Sequence, residues 1–188
     1  MRWRRRVVAS VTVVVLGSLS LAWAGSYHLR NFRAVDPGVL YRSGQLTPTG
    51  LKYALHRHGI RTVVTLRNTN DPDDPNLNEW EAEACAAYGT RHVRIAPRSW
   101  SVDERGERPA DQVVREFFAV MDDPANHPVL IHCFAGVHWT GTLSAIYRME
   151  YQGWSADRAI NEMEACGFPP GQNREAIETY LRGRCPRR

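Results

Sequence analysis

The sequence predicts an α/β fold: a parallel-rich central sheet flanked by helices on both faces. Three observations lead there. Short apolar, β-branched runs alternate with amphipathic stretches, the pattern of strands joined by crossover helices. One run, HPVLIH (127–132), is so apolar that both of its faces must be covered. The 188 residues, 43% hydrophobic and 23% charged, suffice for one domain with a real core plus a short extension.

The elements follow in order. GVLYRSGQ (38–45) reads as a short strand ending in a turn. TPTGLKYALHRHG (47–59) is a helix, with Thr47 as N-cap, Pro48 at the first position and Gly59 as the stop. Its Leu51, Ala54, Leu55 and His58 share one face. IRTVVTLR (60–67) is a buried strand and NTNDPDDPN (68–76) a polar loop. A glycine-stopped helix (77–89), a strand (91–96) and a long loop (97–109) come next. A helix at 110–123 precedes the apolar strand. Helices from Thr140 to Gln152, over 155–167 with Ser155 as cap, and over 173–183 complete the chain. Ligands of such sheets sit beyond the carboxyl ends of the strands. Cys133 lies there, directly after the most buried strand.

The net charge of +4 comes from one end. Setting aside Arg2, Arg4, Arg5 and Arg6, 20 Lys and Arg face 20 Asp and Glu, and a neutral body argues against nucleic-acid binding. Those arginines precede an apolar run from Val7 to about Leu21, closed by Ala22-Trp23-Ala24. The segment 1–24 is a targeting signal, read either as a signal peptide cleaved after Ala24 or as an uncleaved membrane anchor. Either reading puts the domain, 25–188, outside the cytoplasm, exported or held at the membrane by its N-terminal segment. The four cysteines, Cys85, Cys133, Cys166 and Cys185, have neither a disulfide-framework spacing nor a zinc spacing. Cys85 and Cys166 read as buried helix residues. Trp80, Trp100 and Trp154 read as packing residues, as do Met121, Met149 and Met163 at helical core positions.

The stretch HCFAGVHWTG (132–141) carries the chemistry. A loop between a buried strand and a helix N-terminus can converge its backbone amides on one point, an anion nest reinforced by the helix dipole. Gly136 permits the tight bend. Cys133, at the head of this concavity, presents its sulfur as a nucleophile. Phe134, Ala135, Gly136, Val137, His138 and Trp139 form the substrate-binding turn, and Thr140 and Gly141 begin the helix.

His132, Cys133, Gly136, Thr140 and Gly141 match the H-C-x-x-G-x-x-R-T-G signature, so the chain resembles the cysteine-dependent tyrosine and dual-specificity phosphatases. FRAVDPGVLYRSGQ, IRTVVTLR and HPVLIHC are similar to the atypical dual-specificity branch of bacteria, plants and fungi, over roughly residues 31–168. The resemblance implies a phosphocysteine intermediate on Cys133, with no metal or cofactor. It also implies a Thr140 hydroxyl that assists the second step, and a His132 and Gly141 that order the loop. Arg42 and Ser43 would position the sheet edge near the site. The partner would be a phosphorylated protein or a small phosphate ester. An aspartate on a separate loop would protonate the leaving oxygen. Asp103 lies 30 residues before Cys133 and is the first choice; Asp111, 22 residues before it, is the alternative acid and reads equally as a helix-start residue.

One position departs from the signature. Trp139 stands where the family has arginine. An indole has one N–H donor and no charge, so it cannot replace a planar fork that grips two phosphate oxygens. Loss of such a group removes roughly 3–7 kcal/mol of transition-state stabilisation, about a thousandfold or more in rate. Arg98, Arg105, Arg108, Arg174 and His138 are the candidates to supply the missing charge, but each of the arginines reads more readily as a solvated surface residue, and adjacent loop side chains such as those at 138 and 139 usually diverge. Three readings stand at this level: a phosphomonoester hydrolase slowed by Trp139, a pseudophosphatase that binds without turnover, and a sulfur-transfer domain. The last of these lacks the T-G helix start and the acidic loop seen here.

Overall fold

The structure is a computed structural model that describes residues 27–67, 79–171, 173–185 and 187. The expected targeting segment, the 68–76 loop and the start of the second helix lie outside the described residues. The strands are β1 (Arg33–Asp36), β2 (Leu40–Ser43), β3 (Thr62–Thr65), β4 (Arg91–Arg94) and β5 (Val129–His132). The helices are α1 (Pro48–His58), α2 (Glu79–Ala87), α3 (Ala110–Met121), α4 (Trp139–Gln152), α5 (Ala156–Ala165) and α6 (Arg174–Gly183), with a 3₁₀ turn at Pro124–Asn126.

The sheet order is β1-β2-β5-β3-β4. Four strands run parallel, and β1 pairs antiparallel with β2. The parallel-rich sheet is therefore as expected, but the sequence reading missed β1. Its signal was Asp36-Pro37-Gly38. Proline sets φ at the second position of the turn, Gly38 adopts φ +81°, and the Val39 amide closes onto the Asp36 carbonyl at 2.9 Å. With β1 at the edge, β2 is an interior strand, so Arg42 and Ser43 do not lie at the sheet edge as expected.

The period of two along each strand divides the core. Leu40, Val64, Val129 and Ile131 face one cluster, built with α3, α4, α5 and α6 around Phe117, Ile146 and Leu181. Tyr41, Val63 and Leu130 face the other, under α1 and α2, with Leu51, Leu55 and Cys85. Both faces of β5 are covered, as its composition demanded. The expected helix signals operate: Thr47 accepts from the Gly50 amide, Ser155 from the Arg158 amide, and Gly59 takes φ +61°. Met121, Met149 and Met163 are buried. Cys166 is not the buried helix residue expected. It is the C-cap of α5, half-exposed, and its sulfur accepts from Arg33 at 3.5 Å. Cys85, Cys133, Cys166 and Cys185 are all free thiols.

Register places the site. Ser43 pairs with His132, and His132 with Thr65, so three parallel strands end level and Cys133 emerges one residue beyond them. Among the described residues, no helix is long and apolar enough to cross a membrane. Phe117 is fully buried at the centre of the larger cluster. Phe117→Ala is expected to cost about 3–5 kcal/mol and lower the melting temperature by about 10 °C in calorimetry, with the far-ultraviolet spectrum preserved.

Candidate active site

The loop from Cys133 to His138 is built backbone against backbone. Three successive carbonyls turn toward the β2 side of the molecule. Phe134 O accepts from the Gln45 amide at 2.9 Å, Ala135 O from Asn31 Nδ2 at 2.8 Å, and Gly136 O from Arg42 Nη2 at 2.7 Å. In a planar trans peptide, the N–H of the next residue points opposite to the carbonyl. The amides of Ala135, Gly136 and Val137 must therefore point to the opposite side, and the Gly136 amide is found on Cys133 Sγ at 3.3 Å. Those amides face the side of the loop on which Cys133 Sγ lies.

Gly136 has φ +76°, and a Cβ there would stand 2.6 Å from the Ser43 carbonyl. Gly44 is closed in the same way, since its Cβ would lie 2.9 Å from both Phe134 O and Ala135 O. Helix α4 begins at Trp139 without a side-chain cap, leaving its first amides to face the loop. Gly141 packs where a Cβ would be 3.5 Å from Arg42 Nη2, and Val137 packs beside Gly167. Thr140 is buried, with its hydroxyl donating to the Ser43 carbonyl at 3.5 Å.

Under the loop lies a carboxylate that the sequence did not single out. Glu81, in the first turn of α2, is 2% exposed. Its Oε1 accepts from His132 Nε2 at 2.9 Å, from His92 Nε2 at 3.0 Å and from the Thr65 hydroxyl, while Oε2 accepts from Gln45 Nε2 at 2.9 Å. Burial by itself would push this carboxyl up. The hydrogen bonds from His132, His92 and Thr65 outweigh it and hold Glu81 well below the usual carboxylate range. His132, the residue before Cys133, is thereby anchored to a buried carboxylate. Glu81 was missed because α2 shows little amphipathic contrast; the one available signal was an acid one helical turn before the buried Cys85.

Cys133 opens into a cleft of about 310 Å³, lined by Leu66, Arg67, Pro97, Cys133, Phe134, Ala135, His138 and Trp139. Trp139 keeps its place on the wall by stacking on Trp100, ring centroids 4.6 Å apart, and Trp100 packs in turn on Tyr180 at 5.2 Å. Burial lowers the pKa of His138 and so disfavours the charged imidazolium on this wall.

The other expected residues fall elsewhere. Asp103 Oδ1 accepts from the amides of Arg105 and Glu107, both at 2.9 Å, and caps its own exposed turn. Asp111, in the first turn of α3, lines a separate polar hollow with Arg98, Arg108 and Arg115. Neither aspartate lines the Cys133 cleft. Nor does Arg98, Arg105, Arg108 or Arg174: Arg108 donates to Trp100 O, and Arg174 pairs with Glu164 and Glu178. The cleft's guanidinium is Arg67, which the sequence reading left inside a strand. β3 in fact stops at Thr65, which puts Arg67 at the ligand end of the sheet. Among the described residues, no group of His, Cys, Asp and Glu is arranged to hold a metal.

The depressed pKa of Glu81 has a definite sign. The stability from its ionised form is complete above the ordinary value of 4.5 and fades as pH falls through the lower folded value. Glu81→Gln is expected to melt several degrees below the parent at pH 7, a loss of about 3 kcal/mol. The gap should narrow steadily below about pH 4; a gap independent of pH would mean that charge on Glu81 plays no part.

Similarity to known proteins agrees with this geometry. A family model described as "DSP-PTPase phosphatase fused to NAD+ Kinase" matches residues 30–179. The dual specificity protein phosphatase TpbA of Pseudomonas aeruginosa is 29% identical over 174 residues, covering 87% of this chain and 67% of that protein. The inositol diphosphatase DSP4 of Arabidopsis thaliana is 43% identical over 138 residues, covering 71% of this chain and 62% of that protein. The crystal structure of the core catalytic domain of the PP-IP phosphatase SIW14 from S. cerevisiae, in complex with citrate, shares the fold. Its TM-score is 0.63 at 21% identity, covering 81% of this chain and 84% of that one. A cysteine loop of outward carbonyls at the end of a parallel sheet, matched over most of its length by that family, makes this chain a member of the dual-specificity-type phosphatases, with Trp139 in place of the signature arginine.

Proposed function

We propose that this domain binds phosphate-ester dianions in the Cys133 loop and hydrolyses them slowly through a phosphocysteine intermediate. The observation that carries the reading is the Gly136 amide on Cys133 Sγ, with the neighbouring carbonyls turned away. A sulfur there lies where phosphorus would meet both nucleophile and amide donors. In the first step Cys133 Sγ forms a bond to phosphorus as the bond to the ester oxygen breaks. In the second step water attacks phosphorus, the S–P bond breaks, and inorganic phosphate leaves.

The cleft favours aryl esters. No carboxylate is among the described residues that line it. An ester whose leaving oxygen departs as an anion needs no acid from that lining. A phenolate, with a conjugate-acid pKa near 10, departs in this way far more readily than an alkoxide. Leu66, Pro97, Phe134 and Trp139 also offer an apolar wall to an aromatic ring. The relatives named as protein and inositol phosphatases supply the two natural substrate classes to compare. Trp139 at the signature arginine position, with no carboxylate among the described lining residues, supports a second reading, a pseudophosphatase that holds its ligand without turnover. The N-terminal basic and apolar segment supports placing the domain outside the cytoplasm, exported or anchored at the membrane.

A paired assay tests the proposal. The parent chain, Cys133→Ser and Trp139→Arg are given an aryl phosphate, a phosphotyrosine peptide and an inositol phosphate. Slow aryl phosphate turnover is expected in the parent, none in Cys133→Ser, and a gain of about a thousandfold in kcat/KM in Trp139→Arg. A folded but inert Trp139→Arg, checked by melting because the Trp100 stack is lost, would end the hydrolase reading. An inert parent with an active Trp139→Arg would establish the pseudophosphatase.

A further inference from the structure

We propose that Arg67 is the phosphate-gripping cation of this site, in the place of the arginine that Trp139 displaces. The inference rests on the phosphate-binding reading of the Cys133 loop and adds to it the group that supplies positive charge.

Position is the first argument. Arg67 stands two residues beyond Thr65, and Thr65 is the register partner of His132, one residue before Cys133. Guanidinium and sulfur therefore leave the same end of adjacent parallel strands, and both line the same cleft of about 310 Å³. Among the described residues of that lining, Arg67 is the only permanently charged side chain.

Positioning is the second. Arg67 Nη1 donates to Gln45 Oε1 at 2.9 Å. The orientation of the Gln45 amide is not arbitrary. Its Nε2 donates to Glu81 Oε2 at 2.9 Å, and an ionised carboxylate only accepts, so the oxygen end must face Arg67. The Gln45 backbone amide also holds Phe134 O in the cysteine loop. A continuous chain, His132–Glu81–Gln45–Arg67, thus ties the guanidinium to the residue preceding the nucleophile. A cation that merely covers surface needs no such support.

The third argument is charge. Phe134, second in the loop, is 58% exposed, and the guanidiniums of Arg30 and Arg67 lie 4.5 Å and 5.2 Å from its ring centroid. The ring attracts each cation, but two cations on one ring repel each other. A dianion at the cleft mouth is attracted by both guanidiniums, and a planar guanidinium suits two of its oxygens.

The test is binding of inorganic phosphate, measured by titration calorimetry on the full chain, with melting curves as the check on folding. Arg67→Gln, Arg67→Lys and Gln45→Met are compared with the parent, and Arg67→Gln is repeated with Trp139→Arg. Arg67→Gln is expected to weaken phosphate binding at least tenfold in the parent, with Arg67→Lys and Gln45→Met losing less. In the Trp139→Arg background Arg67→Gln should cost under threefold, because arginine at position 139 takes over the grip. Unchanged binding in Arg67→Gln, an equal loss in both backgrounds, or a parent that binds no phosphate while Trp139→Arg does, overturns the role of Arg67 and leaves the loop's function standing. Absence of phosphate binding in every chain, Trp139→Arg included, removes both.

Discussion

The site depends on three peptide carbonyls that face the wrong way for a ligand and the right way for the scaffold. Phe134, Ala135 and Gly136 give their oxygens to Gln45, Asn31 and Arg42. Peptide planarity then commits the following amides to the other side. Removing such groups from solvent is favourable only when each finds a partner. Donors on β2 and the segments flanking it therefore fix the shape of the loop before any ligand arrives. Burial of Arg42 fits this role: it lowers the guanidinium's pKa, but the group keeps a short bond to Gly136 O. Gly44 and Gly136 make that approach possible, because a side chain at either would fall on opposing backbone.

Glu81 extends the same logic one layer deeper. A carboxylate that is 2% exposed would be costly alone. Here three donors converge on one of its oxygens and Gln45 takes the other, so burial becomes a means of fixing direction. Direction passes inward to His132, immediately before Cys133, and outward through Gln45 to the cleft wall.

Trp139 exchanges one kind of interaction for another. Arginine at that position would contribute charge to a bound phosphate. The indole instead stacks on Trp100 and, through it, joins the larger core at Tyr180. Dispersion and apolar burial tie the 97–109 loop to α4 and α6, and the cleft acquires an aromatic wall. The backbone donors are untouched by this exchange, because they belong to the loop's main chain rather than to any side chain in it.

The sequence by itself determined the α/β class, the covered strand β5, the Thr47, Ser155 and Gly59 helix boundaries, and the position of Cys133 at a strand end. All of these follow from short-range rules: periodicity, capping and the glycine turn. The strand β1 was legible in the same terms, in its Asp-Pro-Gly turn, and was passed over. Tertiary structure alone decided which residues complete the site. Asn31 meets Ala135 across 104 positions of chain, His132 meets Glu81 across 51, and Arg67 meets Gln45 across 22. No local pattern marks such pairs, since a helix glutamate and a strand-end arginine look the same whether they face water or a neighbour. The acids at 103 and 111 show the converse. The family's usual interval before the cysteine nominated them, but Asp103 turns to the amides of its own 103–107 turn and Asp111 lines a separate hollow, and proximity in space settles where a charge goes.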